Sequence, residues 1–177
     1  SISGNYNITY ADQGSWGVGD LLDPLESVED TLMLVDDGTD ADSLACFALV
    51  NDLTGKIAVL YRGDCQFGVK SFMAESAGAV AVIIINNVPG DPVGMNGGTD
   101  GPNVTIPVVM ISQIDGDLIR SRLDNNETIV AFIGNKNGLF DTDLSIRESR
   151  MLIPTPIAKH SLLAKNSGEY EFRVGTW

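Results

Sequence analysis

Two long apolar runs, separated by a stretch with helical spacing, constrain the fold of this chain more than any other feature. Residues 56–61 (KIAVLY) and 79–86 (AVAVIIIN) are continuous and rich in β-branched side chains, which is typical of strands buried on both faces. Between them, residues 67–77 place apolar side chains at helical spacing, and Gly78 stands where a helix end needs a positive φ. This order predicts a βαβ unit with parallel strands and a right-handed crossover.

Three further segments predict strands, and a second helix is predicted between two of them. The strand segments are residues 31–37 (TLMLVDD), 104–112 (VTIPVVMIS) and 127–134 (ETIVAFIG). Ser112 and Asp115 match the Ser-x-x-Asp capping pattern, so an amphipathic helix is expected to follow, although Gly116 lies inside it. The sequence therefore predicts an α/β fold, rich in strands, with two helices.

The charge balance excludes two classes of partner. The 177 residues carry 11 basic and 24 acidic side chains, a net charge of −13, whereas nucleic acids and anionic membranes attract Lys and Arg. No apolar run reaches the roughly 18–20 residues that a spanning helix needs. We therefore expect neither nucleic-acid binding nor membrane insertion. The opening residues, SISGNYNITY, lack a basic segment, so we expect a signal peptide to be absent or removed and the chain to come from a longer protein.

The two cysteines bear on the compartment. Cys46 and Cys65 lack a CxxC partner, and one histidine in the chain cannot complete a Cys/His zinc site. Two buried free thiols are one interpretation. Cys46 precedes one β segment and Cys65 follows the next, so both could sit at one end of a sheet. A disulfide is the favoured interpretation, and it implies an oxidising compartment.

No catalytic pattern is complete in this sequence. A Ser-His-Asp triad or a Cys–His pair would depend on His160, the only histidine, for which an exposed position in the tail is the favoured interpretation. Neither a Gly-x-Ser-x-Gly elbow nor an HExxH helix occurs. In residues 17–22 (GVGDLL), Leu22 occupies the third glycine position of a dinucleotide fingerprint. We therefore predict that the chain is not an enzyme.

An acidic stretch offers oxygen ligands for calcium. The stretch DDGTDADS contains Asp36, Asp37, Asp40 and Asp42, and Ca²⁺ prefers carboxylate oxygens. The order of an EF-hand loop, with glycine at position six and glutamate at position twelve, is missing. A solvated acidic loop is the favoured interpretation, calcium is the alternative, and no other cofactor is expected.

Motifs spread along residues 55–116 resemble the protease-associated (PA) domain family. That family's pattern has Gly-Lys-Ile-Ala, an Arg-Gly-x-Cys-x-Phe turn, a lysine-bearing helix, Gly-Ala, Asn-Asn, Ile-Pro and Asp-Gly. This chain has them in the same order, at Gly55–Ala58, Arg62, Gly63, Cys65, Phe67, Lys70, Gly78, Ala79, Asn86, Asn87, Ile106, Pro107, Asp115 and Gly116. The resemblance covers about residues 30–134.

The resemblance implies a fold and a function. The fold is a swivelling β/β/α sandwich, a partly open β-barrel with two helices. The function is non-catalytic: such domains belong to larger secreted or surface proteins, often proteases, where they bind peptides or proteins or control access to a neighbouring active site. In the YRGDCQF segment, Arg62 and Gly63 would shape the turn and Cys65 would pair with Cys46. Integrin binding through Arg62-Gly63-Asp64 is then disfavoured.

The long loop at residues 87–103, rich in Gly, Pro and Asn, is the best candidate for ligand binding. It follows a predicted parallel strand at its carboxyl end, where crevices form in such sheets. The candidate ligand-binding residues are Arg62, Phe67, Asn86, Asn87, Met95 and Asn96, with Met95 as a soft apolar contact. The alternative is an unliganded flexible loop, with Arg62 buried in a salt bridge.

We expect three regions. Residues 1–30 form an N-terminal extension packing on the PA domain, residues 31–134 form the PA domain, and residues 135–177 form a strand-rich extension or the start of a following β-sandwich. In residues 169–174 charged and apolar side chains alternate, which predicts a strand that pairs with the N-terminal segment or opens that sandwich. The expected partners are a peptide or protein ligand and neighbouring domains of the parent protein, possibly a protease. We expect an extracellular location, secreted or at the cell surface. The alternative function is a structural spacer or adhesion module without a specific ligand.

Overall fold

The computed structural model describes residues 4–17, 21, 23–39, 43–134 and 169–174. Within these residues the chain forms seven strands and two α-helices. They are β1 (Gly4–Asp12), β2 (Val28–Leu34), β3 (Ile57–Tyr61), α1 (Phe67–Ser76), β4 (Ala81–Ile85), β5 (Val108–Ile111), α2 (Gln113–Asp124), β6 (Val130–Ile133) and β7 (Glu169–Val174). Short 3-10 turns lie at Pro24–Glu26 and Gly101–Asn103. In the described part of the chain, no helix is long and apolar enough to cross a membrane.

The strands form one curled sheet in the order β1-β5-β4-β3-β2-β6-β7, and pairing of β7 with β1 closes it into a barrel. The β2–β3, β3–β4 and β4–β5 pairs are parallel. The β1–β5, β2–β6, β6–β7 and β1–β7 pairs are antiparallel. The parallel β3–β4 pair runs in register from Ile57↔Ala81 to Tyr61↔Ile85. The predicted parallel strand pair and the α/β fold with two helices are therefore confirmed.

The central strands are buried on both faces because each face has its own cover. Along β4, Ala81, Ile83 and Ile85 belong to a core cluster shared with β1, β6 and α2. The alternate residues Val82 and Ile84 belong to a second cluster with Trp16 and residues of α1. Side chains of a strand alternate between faces, so a strand covered on both sides is apolar at every position.

Helix α2 begins where the capping pattern predicts and approaches the sheet closely. The Ser112 hydroxyl accepts a hydrogen bond from the Asp115 backbone N–H at 3.1 Å and donates to the Asp115 carboxylate at 2.5 Å. A Cβ atom on Gly116 would stand 2.1 Å from a methyl carbon of Ile85. The glycine inside this helix therefore permits close packing of α2 on β4.

The predicted boundaries at residues 30 and 134 stay predictions. Strand β1 pairs with β5 and β7, and β7 also pairs with β6. The ring of strands thus draws on segments from both predicted extensions. Residues 135–168, including His160, lie outside the described residues.

Candidate functional site

A sharp turn links the end of β3 to the start of α1. Gly63 has φ 136° and Asp64 has φ 60°, and the Cys65 backbone N–H donates to the Gly63 carbonyl at 2.8 Å. Gly63 tolerates such a conformation because it lacks a Cβ atom, and Asp is among the few other residues that adopt the left-handed region. The turn places Cys65 two residues before the first residue of α1.

A disulfide joins this turn to the segment that precedes β3. Cys46 and Cys65 are bonded, with their Cα atoms 5.8 Å apart. The structure therefore contains the pairing that the family resemblance implied. Because Cys46 lies before β3 and Cys65 lies after it, the bridge holds the 43–47 segment against the N-terminus of α1.

An open cleft of about 520 Å³ lies beside the disulfide. Its lining residues are Asp37, Thr39, Leu44, Cys46, Phe47, Asp64 and Cys65. The Phe47 side chain is 62% exposed, an unusual position for a large apolar ring. The Asp64 side chain is also exposed. Asp37 is buried, and its carboxylate accepts hydrogen bonds from the Thr39 hydroxyl at 2.7 Å and the Cys46 N–H at 3.2 Å. The cleft combines apolar surface with negative charge.

A buried lysine lies behind the disulfide. Lys70, in the first turn of α1, is 0% exposed, and its Nζ donates to the Leu44 carbonyl at 2.5 Å and lies 3.5 Å from the Cys46 sulfur. Burial lowers the pKa of the Lys70 ammonium to about 8, and the carboxylates of Asp64 and Asp37 oppose that change. The ammonium ties α1 to the 43–47 segment.

Arg62 and Asn86 are brought together at the carboxyl ends of β3 and β4. The Arg62 guanidinium donates to the Asn86 side-chain oxygen at 3.0 Å. The Asn86 amide in turn donates to the Asp91 carbonyl at 3.3 Å, and Asn86 is 1% exposed. Within the described residues, the partner of Arg62 is therefore a neutral amide and not a carboxylate. This chain of bonds ties the start of the 87–103 loop to the sheet.

The other four candidate residues differ in burial. Met95 is buried in the second core cluster, against which Phe67 also packs, and the Met95 carbonyl accepts from the Trp16 indole N–H at 3.0 Å. Met95 is thus part of the core, with 7% of its surface exposed, and its contact with a ligand stays a prediction. Asn87 and Asn96 are exposed, and the Asn96 side chain accepts from the Gly98 N–H.

None of the six candidate residues lines the cleft. The sequence reasoning did not single out Phe47, and it named Asp64 only within the Arg-Gly-Asp tripeptide. A signal for them exists in the sequence, because Phe47 and Asp64 are the direct neighbours of the two cysteines. Once those cysteines are paired, their neighbours must lie side by side. The pairing, however, depends on a contact between distant segments.

The acidic stretch is described only in part. The Asp36 carboxylate accepts from the Gly38 N–H at 2.8 Å, and the Asp37 carboxylate is bonded as described above. Asp40 and Asp42 lie outside the described residues. Among residues that the structure does describe, no three His, Cys, Asp or Glu side chains are grouped so as to hold a metal ion. Calcium binding therefore stays the untested alternative to a solvated acidic loop.

Parts of several known proteins are similar to this chain in sequence or in fold. A probable leucine aminopeptidase 2 of Aspergillus fumigatus is 42% identical over 69 residues, which cover 38% of this chain and 14% of that protein. Minor extracellular protease Vpr of Bacillus subtilis is 35% identical over 81 residues, covering 46% of this chain and 9% of that protein. The solved aminopeptidase from Aneurinibacillus sp. strain AM-1 has a TM-score of 0.51 and 26% identity, covering 76% of this chain and 32% of that one.

The matches cover only part of each relative, and together with the family profile they identify the family of this chain. The chain spans less than a fifth of the length of the two curated relatives, so the similarity concerns one region of larger proteins. The family profile of the PA domain matches residues 25–119, which is more than half of the 177 residues. This chain belongs to the PA domain family.

Proposed function

We propose that this chain is a non-catalytic module of a larger extracellular protein, and that it holds peptide or protein segments in the cleft beside the Cys46–Cys65 disulfide. The cleft is the observation that carries the proposal, because it joins an exposed aromatic ring to acidic side chains in an open concavity of about 520 Å³. Ligand sites are typically concave and apolar, with a few polar groups that fix orientation.

The chemistry of the cleft favours a basic and apolar peptide. A Lys or Arg side chain of the peptide would lie against the exposed Phe47 ring, which attracts cations through its face. The Asp64 carboxylate would meet the same positive charge. The net charge of −13 attracts cationic segments at long range and raises their rate of encounter.

The relatives support a role beside a peptidase. Two similar proteins are an aminopeptidase and an extracellular protease, and this chain matches only a small part of each. A peptide held in the cleft would be positioned for a neighbouring active site, or would be kept from it. The disulfide also supports an extracellular location, because such bonds persist in oxidising compartments.

A peptide pull-down with two matched variants tests the proposal. The chain is incubated with a degenerate peptide pool and the bound peptides are read by mass spectrometry. Phe47→Ser removes the exposed ring of the cleft, and Ile114→Ser removes an apolar side chain that is 77% exposed on α2. We expect enrichment of peptides with Lys or Arg beside an apolar residue, lost in F47S and kept in I114S.

A deletion within the 87–103 loop would be less informative than these point variants. Removing residues 89–98 would take Met95 out of the core and leave the Trp16 indole N–H without its acceptor. Both point variants change exposed side chains, so circular dichroism should show them folded. Equal recovery from wild type and F47S would refute the cleft as the site. If none of the three folded proteins enriches any peptide, the result would favour the alternative function, a structural spacer without a specific ligand.

A further inference from the structure

A buried ammonium lies beside one of the two sulfur atoms of the disulfide. The Lys70 Nζ lies 3.5 Å from the Cys46 sulfur, and Lys70 is fully buried. A lysine in the first turn of a helix also opposes the helix dipole, and burial of a charge is costly. The two ends of this disulfide therefore lie in different electrostatic surroundings.

We propose that Cys65 is a site of S-thiolation by low-molecular-weight thiols, and that Cys46 is the leaving group. The thiolate of an external thiol attacks the Cys65 sulfur and forms a mixed disulfide with it. The Cys46–Cys65 bond breaks, its electron pair goes to the Cys46 sulfur, and the resulting thiolate is held by the Lys70 ammonium. One disulfide is exchanged for another, so no further oxidant or reductant is needed.

The direction of the exchange follows from the leaving group. Thiol–disulfide exchange is faster when the departing thiol has a low pKa, and a neighbouring lysine lowers a cysteine's pKa because it stabilises the thiolate. The pKa of Lys70 is about 8, so at pH 7 the Lys70 side chain is protonated and charged in most molecules. The ammonium is shielded from solvent, so salt and water weaken its attraction less than at the surface.

Other charges act on the same two sulfurs. The Asp37 carboxylate accepts from the Cys46 N–H and opposes a thiolate there, while Asp64 precedes Cys65 and opposes a thiolate at that end. The first turn of α1 favours a thiolate at Cys65, but a helix N-terminus is equivalent to only about half a charge. A full ammonium at 3.5 Å from the Cys46 sulfur outweighs that half charge.

The adduct would alter the cleft. Both cysteines line it, so a thiol attached to Cys65 would occupy part of its wall, and the 43–47 segment would lose its covalent link to the turn before α1. The modification would thereby compete with any occupant of the cleft. The chemistry itself depends only on the disulfide and Lys70.

The first test maps the adduct. The wild-type chain receives a short pulse of reduced glutathione, is quenched in acid, alkylated with iodoacetamide under denaturing conditions, digested and read by mass spectrometry. We expect glutathione on Cys65 and the alkyl group on Cys46, with a preference of about tenfold. In Lys70→Met the preference should fall to near parity, while Lys70→Arg should keep it. Lys56→Met, which changes a partly exposed lysine paired with Asp30, is the control.

A second test does not depend on the folding of a Lys70 variant. In Cys65→Ser the free Cys46 thiol is titrated through the pH dependence of its alkylation rate. We expect a midpoint clearly below the usual value of about 8.5, and lower than that of the Cys65 thiol in Cys46→Ser. Glutathione found mainly on Cys46, or equally on both cysteines, would overturn the proposal. A Cys46 midpoint at or above the usual value would do so as well.

Discussion

The buried Lys70 ammonium makes the stability of this domain depend on pH in a defined direction. Burial places its pKa at about 8 in the folded chain, below the ordinary value of 10.5. Between these two pH values the unfolded chain still binds the proton that the folded chain has released. The free energy of unfolding therefore rises with pH through this window.

The size of the effect follows from the same two values. A tenfold change in proton affinity corresponds to about 1.4 kcal/mol, so the full contribution across the window is about 3 kcal/mol. Between pH 7 and 9.5 the expected gain is about 2 kcal/mol. The cysteines do not contribute, because both are held in the disulfide.

The assay compares how the free energy of unfolding changes with pH in two proteins. Urea denaturation of the disulfide-intact chain is followed by circular dichroism at half-unit steps from pH 7 to 9.5, for wild type and for Lys70→Met. Methionine matches the length of the stem and carries no proton, so the difference between the two proteins isolates the lysine. K70M also leaves the Leu44 carbonyl without its donor, which changes the stability at every pH. The slope of the unfolding free energy against pH is therefore a better observable than the stability at a single pH.

We expect the wild type to gain about 2 kcal/mol relative to K70M over this range. Lys56→Met is the matched control, since Lys56 is partly exposed and lies 3.8 Å from the Asp30 carboxylate, and it should keep the wild-type slope. Parallel curves for wild type and K70M would refute the reasoning. They would mean that Lys70 keeps an ordinary proton affinity in the folded chain.

Two further substitutions test the packing. Gly116→Ala should lower the free energy of unfolding by about 1–3 kcal/mol, because the added Cβ would stand 2.1 Å from Ile85 and overpacking outweighs the better helix propensity of alanine. Gly94→Ala, where a Cβ meets nothing within 4 Å, is the control, and a G116A variant as stable as G94A would contradict the close packing of α2. Gln13→Ala should cost about 1–3 kcal/mol in urea denaturation, because the buried Gln13 side chain accepts from the Val108 N–H at 2.7 Å and its loss leaves that donor unpaired. An unchanged urea midpoint would show that water replaces the side chain.

Local patterns were enough to predict much of the architecture. The parallel β3–β4 pair follows from two β-branched runs with a helical stretch between them, and the Ser112–Asp115 cap follows from a spacing of three residues. These features depend on neighbours in the sequence, because periodicity and capping act within a few residues. The motifs of the PA family lie along residues 55–116, which contain both of these features.

The candidate site was less predictable. The carboxyl ends of β3 and β4 bring Arg62 and Asn86 together, as the parallel sheet implies. Met95 was singled out as a ligand contact, and the structure places it in the core cluster that also contains Trp16. A methionine in a polar loop has no local signal for burial, since its cover comes from a residue 79 positions away.

The sequence by itself determined the order of the central elements, the N-terminal cap of the second helix and the family. Only the tertiary structure decided that β1 and β7 complete the ring, that Phe47 and Asp64 share a cleft, and that Lys70 lies against one sulfur of the disulfide. The physical reason is the range of the interactions. Strand and helix propensity is set by neighbouring side chains, whereas burial, cleft shape and the surroundings of a charge are set by segments that meet only when the chain folds.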